Sequence, residues 1–169
     1  MRWIGAILVA GGASAVSLAA VQNLGARVRL LAALADALEL MRAELQFNLT
    51  PLPALMEVLA DRAPAPAHPF FARCARLMTQ LGEHSFQALW NKALAETEGA
   101  WLPPERELMA ALGGLLGRYD AEAQSRAVSY ARERMEALRH GAEEKRTRQS
   151  RVYGALGLAS GLAVVIILL

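Results

Sequence analysis

A long uncharged run lies at each end of this 169-residue chain, and that segregation limits the folds open to it more than any motif does. Trp3 to Val21 holds no charged residue and Val152 to Leu169 holds none, so nearly all the charge lies between Arg27 and Arg151. A transmembrane helix needs about 20 mostly apolar residues, with about 17 as a lower bound. The C-terminal run meets that requirement and closes on Val164-Val165-Ile166-Ile167-Leu168-Leu169, with neither cap nor charge. The N-terminal run is richer in Ala, Gly and Ser and inserts more weakly per residue. Arg2 with Ala13-Ser14-Ala15 also fits a cleaved secretory signal. The apolar stretch continues past that site to Val21, which favours a retained span. We therefore expect transmembrane segments over 1–24 and 152–169, around a domain over 25–151.

The basic residues set an expected orientation. Arg27 and Arg29 follow the first run, and Lys145, Arg146, Arg148 and Arg151 precede the second. Lys and Arg concentrate on the cytoplasmic side of a membrane, so the middle domain is expected in the cytoplasm with both termini across the bilayer. Within the runs, Ala6, Ala10 and Ser14 share a helix face, and Gly157 and Gly161 form a G-x-x-x-G pair. Small faces let helices approach closely in lipid. A homo-oligomer and ordinary span composition both fit that pattern.

Helical periodicity dominates the middle. Leu31, Leu34, Leu38, Met41 and Leu45 step by three and four, as do Val128, Ala131, Met135, Leu138 and Ala142. Asp120, just ahead of the second seam, can cap free amides and favour the helix dipole. Between the seams, Thr50-Pro51 predicts a helix N-cap and first residue, with the helix running to about Asp61. The proline-broken stretch Ala63 to Pro69 ends it. Further helices are predicted over Phe70 to Leu81, after a Ser85 cap, and from Pro103-Pro104 with Leu108, Met109, Leu112, Leu115 and Leu116 on the apolar side. No segment alternates as a strand does. The fold class is all-α: a bundle of about six helices flanked by an N-terminal and a C-terminal transmembrane helix.

A search for chemistry finds no site. His68, His84 and His140 are far apart and lack ligand spacing. The run Leu112-Gly113-Gly114-Leu115-Leu116-Gly117 lacks the lysine and hydroxyl of a phosphate loop, and close helix packing accounts better for its glycines. Cys74 is the single cysteine and sits in an apolar helical context, as a small buried hydrophobe would. Glu39 and Glu44, and Glu143 and Glu144, stand beside basic residues as salt-bridged surface. A formal net charge of +2, with bases interleaved among acids, does not make a nucleic-acid stripe. No catalytic, cofactor or metal residue is assigned, and the chain is not expected to be an enzyme.

The order of features resembles the stage III sporulation protein AB family of endospore-forming bacteria. The resemblance is carried by the uncharged N-terminal run, Arg42-Ala43-Glu44-Leu45, Thr50-Pro51-Leu52, Phe70-Phe71, Ala88-Leu89-Trp90 and Lys92-Ala93-Leu94. Its most specific piece is Leu112-Gly113, Leu116-Gly117, Asp120 and Gln124, and Leu156-Gly157-Leu158 with the aliphatic tail completes it. Ala54 departs from the family's pattern, where an acidic residue is expected; Glu57 lies one turn on.

In its helical domain that family is similar to the inner-membrane platform protein of type II secretion and type IV pilus systems. The resemblance implies a membrane scaffold in a secretion-like complex between mother cell and forespore, placed in the mother-cell membrane around the forespore. It implies partners among the other subunits of that complex, including a cytoplasmic ATPase. Thr50, Pro51, Leu52, Gly113, Gly117, Asp120 and Gln124 are its structural motif residues. Glu44, Arg132, Glu133, Arg134 and Glu136 are exposed charge expected to meet a soluble partner. The alternative is an exported helical envelope protein with a cleaved signal and a C-terminal anchor.

Overall fold

The computed structural model describes residues 24–117 and 120–168, with side chains through 149. The described residues form six α-helices and no strand; a lone bridge joins Leu81 and His84. The chain divides into two compact units, one over Arg29–Arg139 and the other made of 1–28 with 140–169.

In the first unit, α1 (24–43) carries the leading seam, and Leu31, Leu34, Leu38, Met41 and Leu45 are all buried. The helix then widens into one π-helical turn, Glu44–Asn48, which the residue pattern does not foretell. Leu49 stops it in the left-handed conformation (φ 49°, ψ 36°), its amide donating to the Glu44 carbonyl.

Helix α2 spans Leu52–Arg62 and buries Leu55, Met56 and Leu59. Its N-cap is Pro51 rather than Thr50, because the Thr50 hydroxyl is already committed to Glu44. Pro53 falls in the first turn, where a missing amide hydrogen does no harm. Helix α3 runs over His68–Leu77, starting two residues earlier than predicted because Pro69 is tolerated in that first turn. It ends sooner too, tightening into a 3₁₀ turn at Met78–Gln80 before Gly82 at φ 113°. Helix α4 (Phe86–Glu96) is capped as expected, with the Ala88 amide donating to Ser85 Oγ at 3.3 Å. Helix α5 (Pro103–Leu115) opens with the Leu102 amide donating to Glu105 Oε1 at 3.0 Å. Its buried side is narrower than predicted: Met109, Leu112 and Leu116 are inside, whereas Leu108 is half-buried and Leu115 exposed.

Helices α2 and α3, α3 and α4, and α4 and α5 pack as successive pairs. Aromatic rings fill the space between them. Phe70 lies 4.8 Å from Trp90 at 88°, 4.9 Å from Phe71 and 5.7 Å from Trp101, and Trp90 meets Phe86 at 5.7 Å. Edge-to-face pairs add to the burial itself, because each ring's positive edge meets a negative face. Arg106 ties the α4–α5 connection by donating to the Leu94 and Thr97 carbonyls at 2.7 and 3.0 Å.

The last helix, α6, spans Ala121–Leu168. Val128, Ala131, Met135 and Ala142 of the second seam are buried and Leu138 is half-buried. In the second unit, His140 Nδ1 lies 3.6 Å from a Glu143 carboxylate oxygen. The expected span over 1–24 lies outside the described residues but for Leu24, as do the side chains of 152–169. Among the described residues no helix is long and apolar enough to cross a membrane.

Candidate interaction surface

At the end of α1, the motif residue Thr50 is joined to Glu44. The Glu44 carboxylate accepts from Asn48 Nδ2 at 2.9 Å and from the Thr50 hydroxyl at 2.8 Å, and Arg62 of α2 stands 3.9 Å away. Its main-chain carbonyl accepts from the amides of Leu49 and Thr50. One residue thus closes the turn from both its side chain and its backbone. The hydrogen bonds from Asn48 and Thr50, aided by Arg62, hold its carboxyl below the usual carboxylate range against the cost of burial. Glu44 was expected on a partner surface; its side chain is 12% exposed and faces the turn it holds.

The glycine-and-aspartate segment has a separate physical reason at each position. At Gly113 a Cβ would stand 2.2 Å from Trp90 Cδ1, so the indole lies directly on the α5 backbone. Trp90 is fully buried and donates from Nε1 to the Met109 carbonyl at 2.7 Å. Gly117 takes φ 81°, a region that favours glycine, and a Cβ there would lie 3.2 Å from Leu52 Cδ1. The Thr-Pro-Leu motif and the glycine motif therefore meet in space. Asp120 caps α6, its Oδ1 accepting from the Ala123 amide at 2.7 Å and its carbonyl from the Gln124 amide at 3.0 Å. Gln124 is half-buried in the first turn of α6.

The α6 charges expected to meet a partner divide by geometry. Arg132 Nε reaches Glu39 of α1 at 3.3 Å, and Glu39 also takes Arg42 Nη2 at 2.5 Å. The hydrogen bond from Arg42, with the charges of Arg42 and Arg132, lowers the Glu39 pKa below its ordinary value. Glu136 pairs with Arg139 at 3.0 Å. Glu133 and Arg134 are exposed.

Beside them lies a cleft of about 680 Å³ between the π-helical turn and the first turns of α6. Arg42, Leu45 and Leu49 line one wall, and Arg126, Tyr130 and Glu133 the other. Three large apolar residues stand in solvent here: Phe47 (73% exposed), Leu49 (69%) and Tyr130 (61%). None of the three is singled out by the residue pattern. Leu49 lies four residues beyond Leu45 and fits the seam, so only the left-handed turn reveals that it points outward.

His68 and His84 are exposed, and Cys74 is buried, which pushes its thiol pKa up. Among the described residues no group of three or more His, Cys, Asp or Glu is placed to hold a metal ion.

Residues 2–169 match the family model for stage III sporulation protein AB. The chain is 23% identical over 145 residues to stage III sporulation protein AB of Bacillus subtilis (strain 168), covering 85% of this chain and 84% of that protein. Its fold is similar to a solved structure of stage III sporulation protein AB, with a TM-score of 0.63 and 24% identity over 72% of this chain and 97% of that one.

Proposed function

The chain belongs to the stage III sporulation protein AB family, and from that premise we propose that it is a non-enzymatic platform subunit of a secretion-like complex between mother cell and forespore. The carrying observation is the extent of the match: it takes in both uncharged ends as well as the helical unit between them. On this reading the ends anchor the chain in the mother-cell membrane around the forespore. The unit over Arg29–Arg139 faces the cytoplasm and receives a cytoplasmic ATPase of the same complex. On this reading the unit is tethered at both ends, through the two seamed helices. The exposed charges Glu133 and Arg134 favour a soluble partner over a second apolar layer.

Two experiments test this. Full-length protein in detergent should retain the ATPase on an affinity resin; no retention would sink the reading. A cysteine placed at Arg134 should be labelled only from the cytoplasmic side of native membranes, with the buried Cys74 giving little background. Labelling from the opposite side would favour an exported protein with a single anchor.

A further inference from the structure

The turn at Leu49 is a poor helix stop by ordinary criteria. A left-handed residue after a helix is usually glycine, since a Cβ is strained there. Leucine adds that strain and holds a large apolar side chain in water, and a glycine would remove both costs. Strained backbone persists only where its surroundings over-determine it. Here Glu44 does so, through the Leu49 and Thr50 amides, the Asn48 amide group and the Thr50 hydroxyl. The chain thus commits a half-buried carboxylate and two neighbours to presenting Leu49 at the mouth of the cleft. Phe47 stands out from the same turn, and Tyr130 from the opposite wall.

The charges of the cleft specify what fits against these apolar groups. Arg42 is occupied by Glu39 and by Gln46 Oε1 at 2.8 Å, and Arg126 is paired with Glu122. Each of these two cations already has a carboxylate partner within the chain, Arg42 sharing Glu39 with Arg132. Glu133 lines the same wall with no pairing cation among the described residues. The N-terminus of α6 does not call for an anion either, because Asp120 already caps it and Glu122 lies in its first turn. An apolar rim with one unanswered carboxylate suits an apolar side chain followed closely by a lysine or arginine.

We propose that the cleft between Glu44–Asn48 and the start of α6 receives an amphipathic segment of the cytoplasmic partner, its apolar side chain packed on Leu49 and Tyr130 and its basic side chain paired with Glu133. This rests on the platform reading above. Glu44 acts as a positioning residue, holding Leu49 outward without touching the partner.

The test uses full-length protein in detergent and the purified ATPase, with affinity and thermal unfolding measured on the same samples. Leu49→Gly suits the left-handed backbone, so it should unfold at the same temperature or higher, yet bind at least about tenfold more weakly. Glu133→Lys should weaken binding by a similar factor, and Glu107→Lys, on an exposed part of α5, should leave it unchanged. Wild-type affinity in both Leu49→Gly and Glu133→Lys would overturn the site while leaving the platform reading intact. Loss of self-association in Leu49→Gly, with ATPase binding unaffected, would overturn it too and assign the cleft to a second copy. No ATPase binding by the wild type would remove both proposals.

Discussion

Replacing Gly113 with alanine should destabilise the helical unit, although the exchange normally favours a helix. In a helix interior Gly→Ala is worth about 1 kcal/mol of stabilisation. At Gly113 the new methyl would stand 2.2 Å from Trp90 Cδ1 and 2.7 Å from both Cγ and Nε1. The indole has no room to retreat: it is fully buried, with Phe70 at 4.8 Å and Phe86 at 5.7 Å. Moving it would break the bond from Nε1 to the Met109 carbonyl and leave the buried indole N–H without a partner. Overpacking costs about 1–3 kcal/mol, and the orphaned N–H about as much again. Set against the helix gain, the net loss should be about 1–5 kcal/mol. Urea unfolding followed by far-UV circular dichroism measures it. The next residue is the internal control, because a Cβ at Gly114 would meet only the mobile tip of Gln87, at 3.1 Å. Gly114→Ala should therefore be neutral or stabilising by up to about 1 kcal/mol. If the two variants unfolded at the same urea concentration, the Trp90–Gly113 contact would not be what fixes α4 on α5.

Other expectations concern the caps and titrating groups. The Glu44 carboxyl has a folded pKa below its unfolded one, so its contribution is full above the ordinary glutamate value and lost as pH falls through the lowered one. Glu44→Gln should thus lower the unfolding temperature at pH 7 and narrow the gap to wild type as the pH is brought down into that range; a constant gap would refute the coupling. Asp120→Ala should cost about 1 kcal/mol through the lost cap on α6, and Asp120→Asn should restore most of it. Cys74, buried and with its thiol pKa pushed up, should resist a thiol reagent in the native protein and react in denaturant. Prompt labelling of the native protein would contradict its burial.

The helices were legible because their signals are local. Seam spacing in Leu31 to Leu45, the Ser85 and Asp120 caps and the paired prolines at 103 and 104 act within a turn or two of where they stand. The roles of Gly113, Gly117 and Thr50 were not legible, because each depends on a residue outside its own helix turn. Gly113 is small because of Trp90, Gly117 lies against Leu52, and Thr50 serves Glu44 rather than the helix after it. Charge was the least readable. Glu44, Arg132 and Glu133 look alike in the sequence, yet the first closes a turn, the second joins α6 to α1, and the third faces solvent. Leu49 is hidden for a related reason: its spacing from Leu45 says core, and only backbone geometry says otherwise.

The π-helical turn also makes chain length, and not only side-chain identity, a determinant of this surface. Its wider loop accommodates one residue more than an α-helical turn would. An α-helix has 3.6 residues per turn, so removing one position between 46 and 48 would return the chain to ordinary winding, with Leu49 three residues beyond Leu45 and on its face of the helix. Leu49 would swing from solvent toward the seam of Leu38, Met41 and Leu45, and Thr50 would leave the reach of Glu44. A one-residue deletion here would erase an outward-facing knob without changing any atom of it, and relatives that keep or lack that residue would present different faces from near-identical sequences.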